Sequence, residues 1–259
     1  MAAVELTSAL RREYEALFAT CRIRPERWAE VDHVVDGLLA GRERYRAAGC
    51  EVGVPWPVVG ALHSLEASLD FERHLHNGDP LSGRTVHEPA GRPVAGSPPF
   101  SWHASAVDAL RASGLSRGRD WGLAATLYRL ERYNGWGYRL HHPEVLSPYL
   151  WSFSDHYQRG KYVADGSWSA AAVSRQPGAA VLLRRLAERG EVAFDEIPVG
   201  PLIPYSDAGA APRADDLQAF LNTFPGIRLR VDGWPGPRTS AAFRVVFGRY
   251  LHGDPRDTG

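Results

Sequence analysis

Between Val192 and Pro212 the chain places Pro198, Pro201, Pro204, Gly209 and Pro212 too close together for any helix or strand to run through. Proline fixes φ and has no amide to donate, so each one interrupts a regular hydrogen-bond ladder. Such a stretch reads as a linker. The expected organisation is therefore a large domain over residues 1–191, a linker over 192–212 and a small unit over 213–259. The small unit, about 45 residues, is near the lower limit for independent folding. A second crowding of Gly and Pro over residues 76–103 excludes a long helix there.

Helical periodicity fills most of what remains. Residues 7–20 carry Leu10, Tyr14, Leu17 and Phe18 on one face. Residues 27–47 predict one longer helix through Trp28, Val31, Val35 and Leu38. Pro55 and Pro57 set the start of a helix reaching Leu69, since proline is tolerated in a first turn. Further helices are expected at 103–112, 119–133, near 147–163 and at 176–189. Arg84 to His87 is the best candidate for a short strand in a small hairpin lobe. The small unit predicts helices over 215–224 and 238–251, joined by Val231-Asp232-Gly233-Trp234-Pro235-Gly236-Pro237. The fold class is mainly α, with one small irregular or β-hairpin insertion and a small helical unit after it.

Charge and composition remove several function classes. Thirty basic and thirty acidic residues cancel, so no broad basic field attracts nucleic acid. No apolar run approaches the ~20 residues that span a bilayer. Cys21 and Cys50 form neither a disulfide framework nor a metal-like spacing. No recognisable signal segment precedes the first helix in the sequence as written, so a role outside the cytosol is expected to need another export route or a leader absent from it. No phosphate-binding glycine loop, GxSxG elbow or HExxH run is present, and no cofactor is expected. Eight Trp and ten Tyr provide flat faces that pack cores and also stack on sugar rings.

Glu66 is the residue most suggestive of chemistry. At about 100° per residue, Val58, Val59, Leu62, Leu65 and Leu69 share one face, and Glu66 projects between Val59 and Leu62. A carboxyl pushed into apolar surroundings loses hydration in its charged form and holds its proton to higher pH. Such a group can protonate a leaving oxygen. The alternative is a structural ion pair with one of the many arginines.

Two sets of residues carry a family resemblance. Leu217-Gln218, Leu221-Asn222, Val231-Asp232-Gly233, Gly236-Pro237, Thr239 and Ala242 resemble, in order and spacing, the peptidoglycan-binding module of cell-wall hydrolases. In the large domain, His63-Ser64-Leu65-Glu66-Ala67-Ser68, His76-Asn77-Gly78-Asp79-Pro80-Leu81, Tyr133-Asn134-Gly135-Trp136-Gly137-Tyr138 and Gly160-Lys161-Tyr162-Val163 resemble the lysozyme-like domain that travels with that module. Tyr133-Asn134-Gly135 is also similar to the cleft motif of soluble lytic transglycosylases. Many relatives carry Ser directly after the glutamate, where this chain has Ala67.

The resemblance implies a glycoside hydrolase cleaving β-1,4 bonds of peptidoglycan or a related amino-sugar polymer. Glu66 would be the general acid and Asp79 the second carboxylate. His63, Asp70, Asn77, Tyr133, Asn134, Trp136 and Tyr138 would contact substrate. Asp70 and Glu88 are weaker second carboxylates, and Glu131 is expected to support the cleft or anchor a buried arginine. His63, His74 and His76 lack a clear fourth ligand, so no metal is expected. The chain would act on the cell wall as a monomer. Two rivals remain: a lytic transglycosylase or chitosanase-like enzyme on the same fold, and a wall-binding protein without catalysis.

Overall fold

The computed structural model describes residues 4–117, 120–164, 166–194 and 203–257. The chain divides into two compact units, Met1–Phe194 and Asp195–Gly259. Much of the expected linker, residues 195–202, lies outside the described residues, as does Arg119 at the start of the expected 119–133 helix. The protein is mainly α. Among the described residues no helix is long and apolar enough to cross a membrane.

In the first unit, α1 (Ser8–Thr20) starts where the Thr7 hydroxyl accepts from the Leu10 amide. The single helix expected over 27–47 is instead two, α2 (Trp28–Ala40) and α3 (Arg42–Val52). They meet at Gly41, where any Cβ would stand 2.7 Å from the Tyr45 ring. Tyr45 is fully buried, so the close approach of its ring to Gly41 is part of the core.

The central helix is α4 (Trp56–Ala67), which packs against α2, α3, the later α6 (Leu123–Asn134) and α9 (Ala179–Glu188). Neighbours on several sides explain why Val58 through Ser64 are all buried. The helix stops short of Leu69. Ser68 and Leu69 both adopt left-handed backbone, at φ 51° and 63°, an uncommon state for residues with a Cβ. Leu69 is held there by packing: a Cβ on Gly37 of α2 would meet its side chain at 2.6 Å.

Arg84 to His87 does not form a strand. Its Val86 and His87 amides donate to the Asp79 carboxylate instead of to a partner strand. The segment near 147–163 is also not one helix. After α5 (Trp102–Ala112), α6 and the short α7 (Gly137–His141), it gives a single turn, α8 (Pro148–Trp151). Phe153 then takes φ 74° and ends the helical path. The chain continues into β1 (Lys161–Ala164), antiparallel to β2 (Ser167–Ser169), with Tyr162 opposite Trp168.

The second unit contains α10 (Ala214–Leu221) and α11 (Pro237–Phe247), closed over Leu221, Ile227 and Ala242. Gln218 is buried and pins the intervening turn. Its Oε1 accepts from the Asp232 and Gly233 amides at 2.9 Å, while its Nε2 donates to the Trp234 carbonyl at 3.0 Å. Asn222 ties the chain in the same way, exchanging two hydrogen bonds with the Leu229 backbone.

Candidate active site

Glu66 occupies the last turn of α4. It has no ion pair among the described residues; its partner is Tyr149 of α8, whose hydroxyl donates to Oε1 at 2.8 Å. The arginine-paired alternative is therefore not the arrangement found. Burial pushes the Glu66 carboxyl up to about 7, against a weaker downward pull from the Tyr149 hydrogen bond. Near neutral pH the group is divided between acid and carboxylate, the state suited to proton transfer. Tyr133 lies alongside Tyr149, with ring centroids 6.5 Å apart. Both phenols are held above their usual range, by burial first and by the nearby Glu66 charge second. They remain neutral hydroxyls.

Tyr149 connects Glu66 to a groove. One compartment, about 440 Å³, is lined by Asn134, Gly137, Tyr138, Tyr149, Lys161 and Gln176 among others. A second, about 550 Å³, shares Lys161, Ser174 and Gln176 with the first and adds Val163 and Arg175. The two adjoin through these shared residues, beside β1. Glu66 does not itself line either compartment; it stands behind the Tyr149 hydroxyl.

Of the sequence-predicted residues, Asn134 and Tyr138 line this groove, and Tyr133 stands beside it against Tyr149. Tyr138 is positioned from beneath. Its neighbour Arg139 donates to Glu131 at 2.9 Å, and Tyr14 donates to the same carboxylate oxygen at 2.5 Å. Glu131 thus anchors a half-buried arginine and fixes α7 below the groove. Trp136 is not part of the lining; it packs on Tyr128, ring centroids 5.1 Å apart.

The residues around the 76–100 loop have other work. Asp79 is buried, with its oxygens occupied by the Val86 amide (2.7 Å), the His87 amide (3.0 Å) and the His87 ring (2.6 Å). Burial alone would raise its pKa, but the His87 and Val86 hydrogen bonds outweigh it and bring the carboxyl to about 2. It is a loop clamp and presents no free carboxylate for a second catalytic role. Asn77 belongs to the same clamp: Nδ2 donates to the His87 carbonyl at 2.8 Å and Oδ1 accepts from the Asp79 amide at 3.1 Å.

His63 is a core residue and has no exposed surface. It is fully buried between the Tyr45 hydroxyl (3.0 Å from Nδ1) and the Asp70 carbonyl (3.1 Å from Nε2), and burial lowers its pKa to about 4. Asp70 closes a turn by accepting from the Glu72 amide and Arg73. His74 and His76 bond separately, to Ser105 with the Gly83 carbonyl and to Asp108.

Sequence patterns do not single out Gln176, Ser174 or Lys161 as site residues. Lys161 and Gln176 fall at the adjoining ends of the helices expected near 147–163 and at 176–189, and only tertiary folding brings them to the cavity that Asn134 also lines. In the second unit, Leu229, Arg230, Asp232, Trp234 and Arg238 line a separate cavity of about 360 Å³. No protein-family model, curated protein or solved structure matches the chain. Function is therefore inferred from the chemistry of the site itself.

Proposed function

We propose that the first unit cleaves β-1,4 glycosidic bonds in the glycan strand of peptidoglycan, with Glu66 as general acid, and that the second unit holds the enzyme on the wall. The observation carrying this reading is Glu66: a carboxyl held near 7 by burial, bonded to Tyr149, which lines a groove of about 440 Å³. In the first step Glu66 protonates the bridging oxygen, the bond from that oxygen to the anomeric carbon breaks, and positive charge develops at the sugar. The phenols of Tyr133 and Tyr149 stay protonated throughout and flank the acid with neutral dipoles.

A second carboxylate would assist an attacking water. Asp79 is committed to Val86 and His87, and no carboxylate is among the described groove-lining residues. That observation favours a variant of the same reaction in which a hydroxyl of the substrate attacks the anomeric carbon. Its proton would return to the Glu66 carboxylate, giving an anhydro product. One acid suffices for this transglycosylase route.

Mass spectrometry of products released from purified sacculi tests the proposal. Wild type should release muropeptides and Glu66→Gln about a thousandfold fewer. Reducing ends assign hydrolysis, and products lighter by one water assign transglycosylation. Sacculi left intact by wild type, yet still bound by it, would replace the enzyme with a wall-binding protein.

A further inference from the structure

The groove compartments differ in charge. The one reaching Tyr149 has Lys161 as its charged lining residue and is otherwise lined by neutral groups, including Asn134, Tyr138 and Gln176. The outer one, about 550 Å³, has Lys161 and Arg175 as its charged lining residues, and no carboxylate is among the described residues lining it. Lys161 is the sole lysine of the chain. Neither cation has an ion-pair partner among the described residues.

The backbone segments that carry them are tied together. The Tyr157 hydroxyl donates to the Gly160 carbonyl at 3.1 Å and accepts from the Ser174 amide at 3.3 Å. The Gly160 amide donates to the Ala172 carbonyl at 2.8 Å. These bonds join the residue before Lys161 to the residue before Arg175. Two cations lining one cavity, on backbone segments that are tied together and without an ion-pair partner among the described residues, offer charge to ligand carboxylates.

We infer that Lys161 and Arg175 are specificity-determining residues that bind carboxylates on an acidic branch of the glycan, so that the groove prefers a carboxylate-bearing amino-sugar strand over a neutral or cationic one. This inference rests on the reading of the groove as a glycan site. Both side chains keep solvent contact, so the preference is modest, about tenfold for the two cations together, and weakens with added salt.

The test uses the full chain carrying Glu66→Gln, so that ligand stays intact, with and without Lys161→Met plus Arg175→Gln. Calorimetry compares a soluble disaccharide–peptide fragment with free carboxylates against its fully amidated counterpart. The parent should bind the carboxylate form about tenfold more tightly at low salt, and the double variant should lose the preference. Lys161→Glu with Arg175→Glu should invert it, an outcome that misfolding cannot produce. Equal binding of both fragments by the parent, no binding at all, or an unchanged preference in the double variant would overturn the inference. If wild type cleaves sacculi without any charge preference, the glycosidase reading survives and this one falls. If the preference is lost in the double variant but wild type cleaves nothing, the carboxylate site stands and the glycosidase reading falls.

Discussion

Glu66 and Asp79 sit in touching pieces of backbone, yet their carboxyls are driven in opposite directions. The turn holding Asp79 packs so closely on the end of α4 that a Cβ on Gly78 would stand 2.6 Å from the Glu66 carbonyl oxygen. Burial raises the pKa of any carboxyl, and it is the largest single influence on both. Glu66 receives one hydrogen bond, from a phenol, and rests near 7. Asp79 receives two amides and an imidazole and falls to about 2. At Glu66 desolvation prevails over a single phenol donor, whereas at Asp79 two amides and an imidazole together prevail over desolvation.

The largest break in that comparison comes from chemistry. Glu66→Gln should reduce product release by about a thousandfold, the scale of a lost general acid, whereas Asp79→Asn should leave residual turnover in whatever fraction remains folded. The stability effects have opposite signs. A carboxyl whose folded value is about 7 and ordinary value 4.5 contributes fully below 4.5, and that contribution is lost as pH rises through 7. Urea unfolding should therefore find Glu66→Gln more stable than wild type by about 3 kcal/mol in alkaline buffer, with the gap closing in acid.

Asp79 is depressed from 3.8 to about 2, so its contribution is present above 3.8 and lost as pH falls through 2. Asp79→Asn should cost about 2 kcal/mol at neutral pH in the same assay, and progressively less as acid is added. Tyr149→Phe removes a donor that favours the ionised form of Glu66. The alkaline limb of the pH–rate profile should then move to higher pH. Smallest of all, Asp70→Asn loses an exposed pair with Arg73 and should change stability by less than about 0.5 kcal/mol in thermal unfolding.

The desolvation of Glu66 was legible in the sequence because its side chain projects between Val59 and Leu62 on an apolar face. Helical periodicity likewise carried most of the fold, since an apolar face must be buried wherever its neighbours come from. The misses have a common cause. Gly41 divides α2 from α3 because Tyr45 packs on it, and Ser68 with Leu69 turns left-handed because Gly37 admits the Leu69 side chain; both depend on packing that periodicity does not encode. His63 lies on the same helix as Glu66, but three-residue spacing says nothing about which face carries the core. Asp79 is expected from the resemblance as a second carboxylate, and only the amides of Val86 and His87, which the folded loop supplies, reveal it as a clamp. The hairpin bearing Lys161 is too short to impose an alternation against the surrounding aromatic residues.

The central claim is that Glu66 holds its proton near neutral pH, and a ¹³C NMR titration of its carboxyl reads this directly, with Glu66→Gln assigning the signal. The expected midpoint is about 7, coinciding with the alkaline limb of glycan cleavage. A midpoint near the ordinary 4.5 would leave Glu66 ionised at neutral pH and contradict its role as the acid.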